Sequence, residues 1–173
     1  MKFYIGGIKV EGDLSGLKIH NSHRNLRFSD MECPESSTTW LTAGEKETLV
    51  ERLEHEEQSG GLDVGSIVPL RHLNTLPGLV SEWSCTGHQD ELGGYLVLRV
   101  SREIAEVLDT KVIGALWEGE LIHCATKEWR QACDTAGRPV PRVGYILRFH
   151  MGFLERVCEI IHQLIKESTN AVL

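Results

Sequence analysis

Residues 79–100 read LVSEWSCTGHQDELGGYLVLRV. Its two ends, Leu79–Ser84 and Gly94–Val100, are rich in branched and aromatic residues, while Cys85–Gly93 between them is polar and glycine-bearing. Branched and aromatic side chains suit a pleated, half-buried surface and glycine supplies turns, so the stretch predicts two strands joined by a loop. Just upstream, Leu76-Pro77-Gly78 is a turn signal that must end whatever element precedes it.

On both sides of this pair the spacing becomes helical. Val64, Ile67, Val68, Leu70 and Leu73 predict a helix that Asp63 caps, in which Pro69 forces either an early start or a kink, and that stops near Asn74. Further upstream, Thr42-Ala43-Gly44-Glu45 has the form of a capping box, and Leu49, Val50 and Leu53 follow it, predicting a helix over about 43–57. The run Glu54-His55-Glu56-Glu57 places negative charge where the helix dipole disfavours it, so the end should fray into the hinge-like Ser59-Gly60-Gly61. Downstream, Ser101 caps a short helix with Ile104, Val107 and Leu108 inward. Strands are predicted at about 112–117 and 120–125 around a Glu118-Gly119 turn. A loop holding Cys133, Gly137, Pro139 and Pro141 leads to a strand at Val143–Phe149. Last comes an amphipathic helix carried by Phe153, Val157, Ile160, Ile161, Leu164 and Ile165. This order predicts an α/β or α+β fold, a single domain whose mixed β-sheet is covered by helices. Gly6-Gly7, Gly12-Asp13 and Ser15-Gly16 punctuate residues 1–40, which read as a β-rich amino-terminal arm on a core of 41–173.

The chain has 173 residues, a formal charge of −7 and 41% hydrophobic residues. A chain of about 150 residues buries roughly 70% of the surface it exposes when unfolded, so one domain with a core of its own is expected. No apolar run reaches the length of a membrane span, and the first residues lack the apolar centre of a signal peptide, so a cytoplasmic protein with no membrane partner is expected. The acidic balance argues against a protein that holds nucleic acid by blanket phosphate neutralisation. Five cysteines, at 33, 85, 124, 133 and 158, form no CxxC pair and are expected to be reduced thiols.

The loop after the first strand of the opening stretch gathers chemistry. Ser84, Cys85, Thr86, Gly87 and His88 bring together two hydroxyls, a thiol, an imidazole and free backbone amides where glycine permits close approach of a ligand. Trp83, two residues before Cys85, is positioned to touch such a ligand. Residues 73–100, with Leu73-Asn74, Leu76-Pro77-Gly78 and Ser84-Cys85-Thr86-Gly87-His88, resemble the tRNA wybutosine-synthesising methyltransferase family and related bacterial and phage proteins with a Ser-Cys-x-Gly-His motif. The resemblance implies an α/β fold outside the usual Rossmann methyltransferases and S-adenosylmethionine as cofactor. Ser84, Cys85 and Gly87 carry over, with Thr86 where the family has serine and His88 where it has arginine. The missing arginine and the acidic charge disfavour tRNA as a partner.

Three further readings concern the same residues. Cys85 could be a nucleophile activated by His88, with Asp90 or Glu91 orienting the imidazole. Zinc on Cys85, His88, His123, Cys124 and Cys133 would need a bulge for His123 and Cys124 to act together, and a metal is not expected. Arg99, Arg102 and Arg148 are predicted to converge on an anion if the strands 94–100 and 143–149 are neighbours, with Arg142 near the strand entrance. The function expected is binding of a small nucleotide-like or cofactor-like molecule at Ser84–His88, methyltransferase-like if catalytic, with His88 as acid or base. The alternatives are a non-catalytic sequestering module, or an oligomeric subunit that associates through its tryptophans and β arm.

Overall fold

The computed structural model describes residues 2–5, 8–11, 18–21, 24–27, 40–87, 93–133 and 139–170, with backbone alone before residue 28 and at 83, 128–133 and 139–141. Two amino-terminal hairpins, β1 (Lys2–Ile5) with β2 (Ile8–Glu11) and β3 (Lys18–Asn21) with β4 (Arg24–Arg27), precede the main body. There α1 (Ala43–Gln58) and α2 (Val64–Asn74) lead into β5 (Leu79–Cys85) and β6 (Gly94–Val100). A helical run follows: α3 (Arg102–Val107), a π-helical turn (Leu108–Val112) and α4 (Ile113–Glu118). The long hairpin β7 (Ile122–Cys133) and β8 (Pro139–Phe149) and the final α5 (Leu154–Asn170) complete the chain. The four strands β5 to β8 form one sheet in the order β5-β6-β8-β7. Each neighbouring pair is antiparallel, so the α+β form is realised and this sheet is not of mixed direction. Among the described residues, no helix is long and apolar enough to cross a membrane.

The sheet has two unequal sides. On one, Leu79, Leu96, Leu98, Val100, Tyr145, Leu147 and Phe149 are fully buried beneath α2, α3, α4 and α5. On the other, Leu49 and Leu53 of α1 pack with Leu41 and Val80 in a small cluster. The final helix packs as its spacing requires, with Val157, Ile161 and Ile165 inward, while Phe153 precedes it and sets its ring edge-on to His150. Cys158 lies in the same buried stripe, where burial pushes its thiol up to about 12. It should therefore resist alkylation in the native protein and react only after unfolding, which mass spectrometry of iodoacetamide-treated protein checks; native labelling of Cys158 would contradict this packing.

Four expectations need correction. Residues 112–117 are helical and not a strand, because Val112, Ile113, Leu116 and Trp117 recur at helical spacing and bury against the core. Asp109 in the π turn accepts from Tyr145 Oη at 2.8 Å and Lys127 Nζ at 2.7 Å, tying that turn to β8 and β7. In α2, Ser66, Leu70 and Leu73 face inward, while Val64 and Val68 are 86% and 71% exposed, so the apolar stripe there is rotated from the expected one. Asp63 makes no side-chain cap, because its carboxylate instead accepts from the Thr86 amide at 3.4 Å and hydroxyl at 3.2 Å. Finally, β8 begins at Pro139 and not at Val143. Its first residues pair with β7 only, beyond the last β6 pair at Arg99 and Gly144, so Pro139 and Pro141 forfeit no hydrogen bond to β6.

Candidate functional site

Register decides which side chains meet on the α1 side of the sheet. A bulge at Glu82 shifts the alternation of β5, so Val80 and Cys85 share that side, where strict alternation would align 80, 82 and 84. Three rows result. Nearest α1 stand Val80, Arg99 and Gly144; next come Val97, Ile146 and Thr126; farthest come Cys85, Tyr95, Arg148 and Cys124. The far row is the open one, with Tyr95 and Cys124 half-buried and Arg148 exposed, although β6 and β8 are the two central strands.

The Ser84–Gly87 segment borders this row. Gly87 has φ +94°, and its backbone packs against Gly93 and Gly94, closing the base of the loop. The buried Cys85 Sγ accepts from the Gly87 amide at 3.4 Å. Ser84 pairs with Leu96 on the opposite, core-facing side, and its buried Oγ has no hydrogen-bond partner. Ser84 is thus separated by the sheet from Cys85, and Thr86 is already engaged by Asp63. His88 lies outside the described residues, as does the side chain of Trp83. Asn74 of the Leu73–Gly78 stretch braces the start of β5, since its Oδ1 accepts from the Ser81 amide at 2.8 Å and hydroxyl at 3.1 Å.

At the same end of the sheet a second bulge sits between Ile122 and Cys124, and the ring of His123 lies 5.0 Å from that of His150. Burial, with smaller contributions from His150 and Arg148, lowers the His123 pKa below its ordinary value. The Cys124 thiol is raised by burial, partly offset by Arg148. Among the described residues, no group of three or more His, Cys, Asp or Glu side chains is arranged to hold a metal ion.

The expected convergence of Arg99, Arg102 and Arg148 does not occur. Arg99 and Arg148 share a side of the sheet but stand four positions apart in register, about 13 Å at strand rise, and Arg102 is exposed at the start of α3. Arg99 instead meets Arg142 and two carboxylates. Glu45 Oε1 accepts from Arg142 Nε at 3.0 Å and from its Nη2, and Glu45 Oε2 accepts from the Thr42 amide and hydroxyl. Arg99 Nη2 is 3.7 Å from Glu45 Oε1, and its Nη1 is 3.8 Å from Glu82 Oε1. Burial would raise the Glu45 carboxyl, but its bonds from Arg142 and Thr42 outweigh that and hold it below the ordinary carboxylate value. The capping box at Glu45 is therefore real but only part of what the residue does. Its spacing of four from Leu49, itself four from Leu53, is the signal that it lies on the buried stripe of α1.

A separate groove of about 290 Å³ lies between α1 and α2, floored by Val50, Leu53, Ile67 and Leu70, and shares no lining residue with the Ser84–Gly87 segment. Comparison with protein-family models, with curated proteins and with solved structures finds no match to this chain.

Proposed function

We propose that the protein binds a small nucleotide-like or cofactor-like molecule on the open row beside Cys85–Gly87. One observation carries this reading: on the two central strands Arg148 is exposed, beside its half-buried cross-strand partner Tyr95. An aromatic face beside a guanidinium suits a ligand that joins a flat ring to a phosphate or carboxylate, because the ring stacks and the anion is bound by charge-assisted hydrogen bonds. Adenosine monophosphate and S-adenosylmethionine both have that form, and the second is the cofactor that the resemblance of residues 73–100 implies. Binding, rather than attack by a cysteine nucleophile, suits Cys85, whose thiol is buried and accepts from a backbone amide. Methyl transfer would then depend on proximity, with His88, next in sequence to Gly87, the candidate acid or base.

The test is isothermal titration of the purified protein with S-adenosylmethionine and with adenosine monophosphate, repeated on Tyr95→Ala and Arg148→Ala variants whose melting is checked first. Saturable one-to-one uptake of either molecule is expected, weakened roughly tenfold or more in each variant, since stacking on an aromatic is worth about 1–3 kcal/mol. No uptake of either molecule, or variants that bind like the parent, would overturn the proposal. Turnover with His88 intact and none in His88→Ala would favour the enzyme, whereas binding without turnover would favour the sequestering module.

A further inference from the structure

Among the described residues, the same edge of the guanidinium, Nε together with Nη2, grips a carboxylate at two arginines. Arg142 donates from both atoms to Glu45, and Arg71 donates from both to Glu57. Arg99 presents that edge with no acceptor: its Nε and Nη2 are buried and have no hydrogen-bond partner, in a residue only 3% exposed. Its two ion pairs, at 3.7 and 3.8 Å, are beyond hydrogen-bond length, and Glu45 is already committed to Arg142 and Thr42. Buried guanidinium donors are almost always satisfied, and leaving charged ones unmatched is costly. Its neighbour in register on β8 is Gly144, so no side chain from that strand position meets the guanidinium.

We propose that the space between α1 and the sheet at Arg99 is a seat for one small oxyanion group, a phosphate or a carboxylate, gripped by the Nε–Nη2 edge of Arg99. The seat is independent of the Tyr95–Arg148 row, from which it is separated by the Val97 row of the sheet. No bond is made or broken in this binding; the group is held by paired N–H donors.

The arginine Nε–H resonances of labelled protein, titrated with inorganic phosphate, acetate and chloride at constant ionic strength, read this directly. Saturable movement of the Arg99 resonance with phosphate alone assigns the seat to phosphate groups, and with acetate alone to carboxylates; chloride should not reproduce either. Arg99→Lys keeps the charge but loses the paired edge, so the anion-dependent rise in melting temperature should need roughly tenfold more anion. Should that variant not fold, Glu82→Gln provides the second test, because removing the competing carboxylate should tighten the response of Arg99. A linear, chloride-like drift with both oxyanions would overturn the proposal, as would equal anion stabilisation of the parent and Arg99→Lys. Tyr95→Ala should leave this titration unchanged, so failure of the seat and failure of the open row can be told apart.

Discussion

Glu45→Ala should destabilise the protein by about 3–5 kcal/mol, because it leaves Arg142 and Arg99 buried with the shared carboxylate gone. The same change removes the carboxylate half of the capping box at Thr42, which adds a further penalty of roughly 0.5–1 kcal/mol. Urea unfolding monitored by circular dichroism measures both, and a loss below about 1 kcal/mol would show that this ion pair does not hold α1 to the sheet. Glu45 also predicts the sign of an acid effect. Its folded pKa lies below the ordinary value of 4.5, so its contribution is complete above that pH and disappears as pH falls through the folded value. In Glu45→Gln the part of the stability profile below pH 4.5 should therefore be flatter than in the parent. His123 and His162, both lowered from 6.5 by burial first, act at higher pH. The unfolded chain takes up their protons first, so stability should already decline as pH falls below 6.5, in Glu45→Gln and parent alike.

Gly94→Ala is the second large effect, and it comes from space alone. A methyl group at Gly94 would stand 2.3 Å from the Cys85 carbonyl oxygen and 2.4 Å from the ring of Phe149, which is itself fully buried. Neither neighbour is the free end of a flexible chain, so β5 or β8 must move, at a cost of about 3 kcal/mol or more. Two other glycines separate this cause from backbone strain. Gly60 has φ +74° with nothing within 4 Å of an added methyl, so Gly60→Ala should cost about 1–2 kcal/mol by conformation only. Gly44, in the first turn of α1, has neither problem, and Gly44→Ala should be neutral or slightly stabilising. Denaturation midpoints for the three variants in one urea series give the ranking, and a Gly94→Ala protein as stable as Gly44→Ala would contradict the packing of β5 against β6 and β8. Because Gly87 packs against Gly94, the base of the Ser84–Gly87 segment should open in Gly94→Ala as well.

Local chemistry is readable wherever neighbours in the chain decide the outcome. The Thr42–Glu45 cap, the Pro77-Gly78 turn and the apolar stripe of α5 all depend on residues within a few positions of one another, and β5 and β6 are each marked by their own run of branched residues. Residues 112–117 escape a local reading because a short apolar run carries both periods, and it is burial against the core that selects the helix. The site divides in the same way. That Ser84–Gly87 would form the end of a strand is legible, but the Glu82 bulge sets which of its side chains share a side of the sheet, turning Ser84 to the core and Cys85 to the open row. The partnership of Glu45 with Arg142 spans 97 positions. Spacing places each of them on an element and leaves open what will face it. A cap or a turn is settled by bonds that close within one helical turn, whereas the burial and pairing of Arg99, Tyr95 and Arg148 depend on which layer covers which end of the sheet. α1 packs near one end of the central strands while Arg148 stands exposed toward the other, and only the packing of the whole chain determines that.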